Sequence, residues 1–411
     1  MVMIKKRTVE KIETNLISSA RILHILTNLD LGGAEISVVA ICQCLHKRGI
    51  DVRLAYSSRG GESGGYHPVL IKRLNESGIP TYDVPQMVRN VSLFRDIRAL
   101  CRLCAVIRAV KPDIVHTHMS KAGLLGRAAS VIMGVPHIIH TVRGWSFYST
   151  DSRLKRYFYV LLERLAAHYT DKMFCVSTQQ INDGLRAKIG HHGDYVLVHS
   201  GIPIAQFRPG GEDCGNLRSE IGIPANVQVV GTVMGLCRQK APLDFVAASE
   251  IICHNYDKVH FLIVGDGPLR KDMADAISRK KMSDRCHLLG FRLDIPQLLS
   301  LMDVFLLTSY WEGLPRVLME AIVARVPIVS TNVGGVSEVV RHGVSGFLTF
   351  AGDIKGLADY VIRLLRDPCT RKRMADKAES GIDDSFDLDF VVQYHEEFYC
   401  KLLQSPGLFL K

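Results

Sequence analysis

The chain has 411 residues, of which 47% are hydrophobic and 22% charged, and its 51 Lys and Arg against 41 Asp and Glu give a formal net charge of +10. One hydrophobic core does not keep growing to that length, so two domains are expected, and the composition excludes a disordered or low-complexity chain. No run of about 20 residues stays apolar; the best candidate, 123–139, contains Arg127 and Pro136, so no membrane span is expected.

Residues 1–210 carry 28 Lys and Arg against 15 Asp and Glu, whereas residues 211–411 carry 23 against 26. A basic first half suits an anionic lipid surface or a phosphate-bearing acceptor, and a solvated basic surface equally. No RNA-binding, helix-turn-helix or zinc-finger pattern accompanies it, so nucleic acid is not an expected partner. Lys5, Lys6 and Arg7 are followed by Glu10, Lys11 and Glu13, with no apolar signal-peptide core. The expected location is cytoplasmic, peripheral at the inner face of the membrane. Eleven cysteines, with Cys42/Cys44 and Cys101/Cys104 inside helical patterns, read as reduced core thiols.

In chain order, short β-branched runs alternate with longer helical patterns, as in parallel sheets covered on both faces. The strand runs start at Arg21, Asp51, Asp113, His137, Lys172 and Tyr195. Turn-formers from Gly201-Ile-Pro to Pro209-Gly-Gly break the series. A second series starts at Val227, Phe261, His287, Val304 and Pro327. The expected organisation is a flexible segment 1–20, a Rossmann-like domain 21–205, a second one 206–385, and a C-terminal helix in 386–411 returning to the first domain. In such sheets ligands sit beyond the carboxyl ends of the strands, so two facing edges make a cleft.

The most specific run is Ser309-Tyr-Trp-Glu-Gly-Leu-Pro-Arg-Val-Leu-Met-Glu320. Glu312 follows a strand, Pro315 suits a helix start, and Glu320 lies inside that helix, so both carboxylates can face a ligand at the helix N-terminus, where free amides attract phosphate. A carboxylate beside a diphosphate needs hydroxyls to accept from, which sugar and ribose rings supply. The plainer alternative is an acid favoured by the helix dipole plus a surface glutamate.

This run resembles the E-x7-E segment of the family 4 retaining glycosyltransferases, which adopt the GT-B fold of two doubly wound Rossmann-like α/β domains. The resemblance extends to Gly32-Gly-Ala-Glu35, Asp113 to His118, Ser200-Gly-Ile-Pro, Lys240, Gly265-Asp-Gly-Pro268 and Asn332 to Glu338. It implies transfer of a hexose-type sugar from a UDP- or GDP-sugar to a lipid-linked or glycan acceptor in cell-surface glycan biosynthesis, without metal or cofactor. Glu312 would contact the transferred sugar and Glu320 the ribose; the amides near Gly313 and Leu314 would hold the diphosphate. Lys240 and Arg238 would neutralise the leaving phosphate, Gly32 and Gly33 would approach it from the first domain, and Asp266 belongs to the donor set. Arg143 and His118 are the acceptor-side candidates.

The chain departs from the family at three places: Arg143 stands where a histidine is usual, Gly235 where the first phosphate-binding cation is, and Arg325 where a glycine follows the helix. Arginine cannot act as a base, although it can still bind the sugar or phosphate. Other readings are an inactive nucleotide-sugar-binding partner subunit and a sugar-nucleotide epimerase. Gly265-x-Gly267 with Arg270 in the third-glycine position speaks against NAD. His116 and His118 lack an obvious third ligand for a metal and read as hydrogen-bonding residues at a strand end.

Overall fold

The computed structural model describes residues 17, 19–30, 32–59, 68–148, 150, 152–209 and 215–407. Most of the expected flexible segment 1–20, and residues 210–214 after the link, lie outside the described residues.

Two all-parallel sheets form. The first has seven strands in the order β3-β2-β1-β4-β5-β6-β7: β1 (Arg21–Asn28), β2 (Asp51–Ser57), β3 (Thr81–Asp83), β4 (Ile114–His118), β5 (His137–Val142), β6 (Lys172–Cys175) and β7 (Tyr195–Leu197). The second has six, β10-β9-β8-β11-β12-β13: β8 (Gln228–Val233), β9 (Val259–Val264), β10 (Cys286–Gly290), β11 (Val304–Leu307), β12 (Ile328–Thr331) and β13 (Gly346–Thr349). The central strands are buried on both faces, in keeping with their largely apolar sequences. The strand runs do not reveal β3 or β13: one has three half-exposed or exposed residues, and the other opens on glycine.

Seven helices position the site and its surroundings: α1 (Gly33–Lys47), α2 (Leu93–Val110), α3 (Ser120–Ile132), α4 (Arg153–His168), α5 (Thr178–Arg186), α6 (Arg316–Val323) and α7 (Leu388–Leu403). Helix α6 begins at Arg316, with Pro315 in the capping position. Strand order reverses between β1 and β4 in the first sheet and between β8 and β11 in the second. The loops leaving β1, β8 and β11 therefore open at switch points, where doubly wound sheets bind ligands.

The chain crosses back after the second domain. Ile202 donates its N–H to the Phe386 carbonyl at 2.9 Å, and Leu388 donates to the Ile202 carbonyl at 2.9 Å. Helix α7 then buries Val391, Val392 and Tyr399 in the same core as Ile22 and Leu26 of β1. It is a structural part of the first domain, although it follows the whole of the second. No helix among the described residues is long and apolar enough to cross a membrane.

Candidate active site

A cavity of about 1570 Å³ lies between the carboxyl edges of the two sheets, walled by both domains. Its second-domain wall is built by pinning the loop after β11 onto the turn after β8. Tyr310 donates its N–H to the Gln239 carbonyl at 2.8 Å, Gln239 Nε2 donates to the Trp311 carbonyl at 2.9 Å, and Thr308 Oγ1 donates to the Lys240 carbonyl at 2.9 Å. This brings Lys240 Nζ to 2.5 Å from Glu312 Oε1, which also accepts from Ser309 Oγ at 2.6 Å. Glu312 is buried, and these two donors satisfy its Oε1.

One turn into α6, Glu320 Oε1 accepts from Arg316 Nε at 2.7 Å. The (i, i+4) spacing makes this pair legible in sequence, yet Arg316 carried no expected role. Its Nη1 is buried without a hydrogen-bond partner among the described residues. Glu312 and Glu320 thus line one cavity wall, flanking the Gly313-Leu314 amides. Arg238 is exposed on the same wall, and Asp266 lines it with one carboxylate oxygen on its neighbour's amide and the other 3.1 Å from Arg270. At Gly235 a side chain would point into open space, so no clash dictates the missing cation there.

The first domain supplies the opposite wall through Gly32, Gly33, Glu35 and Arg143. A Cβ on Gly33 would stand 3.6 Å from the Cβ of Arg316, so the walls nearly touch. At Gly32 the space a side chain would fill holds the Glu35 carboxylate. Burial pushes that carboxyl up to about 7, against the pull of Arg89, whose Nη2 is 3.5 Å away. Arg143 donates through Nη1 to Ser200 Oγ at 2.8 Å. Burial lowers its guanidinium to about 10, with Glu35 opposing the shift and Arg316 adding to it. Two guanidinium groups from opposite domains and the Lys240 ammonium therefore address one space, as an anionic ligand requires.

His118 does not join this wall. It is 1% exposed beneath the cleft, with Nε2 2.9 Å from His24 Nδ1. The third histidine that the sequence order concealed is His24 on β1, and the three rings place nitrogens within 4.8 Å of one another. His116 has both nitrogens engaged, Nδ1 with the Tyr399 hydroxyl and Nε2 with Thr141 Oγ1, each at 2.6 Å. Burial lowers all three imidazoles, His24 to about 3, so they are neutral near pH 7. The arrangement is a hydrogen-bonded core that ties α7 to the sheet. Arg325, the departure after α6, adopts a φ of 59° and pairs with Glu379 at 2.7 Å.

Comparison with known proteins decides the family. Residues 32–201 match the Glycosyl transferase 4-like domain and residues 215–381 match Glycosyl transferases group 1. A UDP-Gal:alpha-D-GlcNAc-diphosphoundecaprenol alpha-1,3-galactosyltransferase of Escherichia coli is 34% identical over 297 residues, covering 71% of this chain and 76% of that protein. The chain belongs to the family 4 glycosyltransferases. An N-acetyl-alpha-D-glucosaminyl L-malate synthase of Bacillus anthracis is 31% identical over 341 residues, 81% of this chain and 87% of that protein. Among solved structures, Anabaena HepE in complex with UDP and glucose superposes with a TM-score of 0.78 at 22% identity, covering 93% of this chain and all of HepE, which shows the GT-B fold. This family 4 member is accordingly a glycosyltransferase with two Rossmann-like domains facing one another across a cleft.

Proposed function

We propose that this glycosyltransferase moves a hexose from a UDP-hexose to a sugar carried on a lipid diphosphate, with retention at the anomeric carbon. The observation that carries the reading is the meeting in one cavity of Glu312, Lys240 and Glu320 from the second domain with Gly32, Gly33 and Arg143 from the first. The E. coli relative, by its name, uses UDP-Gal and a diphosphoundecaprenol-linked acceptor, which supports the donor and acceptor classes. Glu320 accepts from the ribose hydroxyls and Glu312 from the hexose. The diphosphate lies against the amides at the start of α6, with Lys240, Arg316 and Arg143 around it. In the transfer the bond between the anomeric carbon and the phosphate oxygen breaks, the acceptor oxygen bonds to that carbon, and the departing UDP takes the acceptor's proton. Cations aimed at the developing charge supply the electrostatic stabilisation such a step needs.

Arg143 in place of histidine is compatible with this scheme because no side-chain base is used. Lys240, Glu312 and Glu320 together in the cleft favour catalysis over an inactive binding subunit.

The test is melting temperature against UDP-, GDP-, ADP- and TDP-sugars for the wild type and Glu320→Ala. A shift with the UDP series alone, weakened about tenfold in apparent affinity by the loss of charged hydrogen bonds in the variant, is expected. No shift from any sugar nucleotide would overturn the reading. Protein cations do the work of a metal in this scheme, so UDP release in the presence of acceptor is expected to be unchanged by EDTA; a rate lost to EDTA and restored by magnesium would refute that part.

A further inference from the structure

Helix α4 is amphipathic in the inverse sense. Its domain-facing side buries Glu163 and Ala167, while Leu154, Tyr157, Phe158, Leu161 and Leu165, spaced as one helical stripe, face outward with exposures from 48% to 79%. Across the intervening α3, the start of α2 does the same with Leu93, Phe94 and Ile97, exposed by 71%, 82% and 50%. A patch of this kind on a folded protein marks a binding surface.

Charge and position say what covers it. Each helix carries one acid, and both acids are neutralised within the domain: Asp96 by Lys121 at 2.7 Å and the buried Glu163 by Arg127 at 2.6 Å. Exposed Arg153, Lys155, Arg156 and Arg164 on α4, and Arg95 and Arg98 on α2, are left around the apolar stripe. A second copy of the chain would set these cations against themselves, whereas an anionic bilayer surface accepts the apolar side chains among its headgroups and the cations at its phosphates. The patch is also continuous with the active-site cavity, whose outer wall includes Leu93, Ile132, Phe158 and Leu165.

We infer that the α2–α4 face docks on an anionic lipid bilayer and that the apolar extension of the cavity over α3, lined by Leu124, Leu125 and Leu162, admits the lipid chain of the acceptor, leading its diphosphate-linked sugar to Arg143. This rests on the acceptor class proposed above and assigns it a site.

The experiment is co-sedimentation of the full chain with vesicles of phosphatidylcholine alone or mixed with phosphatidylglycerol. The wild type is expected to sediment with the mixed vesicles only and to be released by about 0.5 M salt, where screening shortens the reach of the charges. The Leu154→Glu/Leu161→Glu variant, altered only at exposed positions outside the cavity wall, is expected to lose at least about tenfold in vesicle affinity while keeping its UDP-hexose melting shift. Equal recovery of wild type in the supernatant with both vesicle types overturns the inference. So does a dimer in light scattering that the same variant converts to monomer, because the face would then belong to a second copy. Vesicle binding without a UDP-hexose shift would leave the docking face standing and refute the donor reading, so the two fail separately.

Discussion

At the scale of single residues, the cleft spends its burial on charge. Lys240 with Glu312 and Arg316 with Glu320 are pairs in which each acid proposed to accept from a donor hydroxyl is already held by a cation. Glu35 differs in that burial outweighs the pull of its cation, Arg89. Its carboxyl, raised to about 7 from 4.5 by burial, binds its proton more tightly in the folded chain than in the unfolded one. The stability this contributes is fully present below pH 4.5 and is lost as the pH climbs through about 7. Glu35→Gln should therefore melt with the wild type at pH 4.5 and above it at pH 8; equal melting temperatures at both pH values would show that Glu35 ionises normally. E-x7-E and Lys240 were legible in sequence because they sit in one contiguous or strand-adjacent run. Glu35 stood inside a recognised glycine motif, but only its burial behind Gly32 shows that it titrates unusually.

Among elements, the doubly wound pattern of both domains was legible because the buried strands are short, β-branched and largely apolar runs that alternate with helical patterns. His24 was not linked to His116 and His118 because strand pairing, rather than chain proximity, puts β1 beside β4. The contact between the loop after β11 and the first domain was equally hidden. A Cβ at Gly313 would fall 2.6 Å from Gln180 Nε2 and 2.8 Å from the Arg143 carbonyl oxygen, closer than real side chains come. Gly313→Ala must push the two walls apart or distort the Arg143 backbone. The expected cost is about 1–3 kcal/mol of stability, together with a several-fold rise in the KM for donor, read by denaturant melts and initial rates. An unchanged KM would show that the loop moves away from Arg143 when donor enters.

In the whole molecule, one carboxylate adds a polar clasp to the contacts between the domains. Glu338, at the end of the recognised Asn332 run, accepts from the amides of Thr178 and Gln179 at 3.0 Å each and so caps α5 of the opposite domain. Glu338→Ala is expected to enlarge the radius of gyration in small-angle scattering without donor and to let UDP-hexose restore the compact value. Identical radii would place the closure elsewhere. The return of α7 has a different kind of consequence. The helix that completes the core around β1 leaves the ribosome only after the entire second domain has been made, so the domain that starts first finishes last. Until Val391, Val392 and Tyr399 arrive, the first domain exposes apolar surface that its partner domain does not cover. The chain therefore cannot be divided at the link into two self-sufficient halves: a gene split there would orphan the first half from its own final helix.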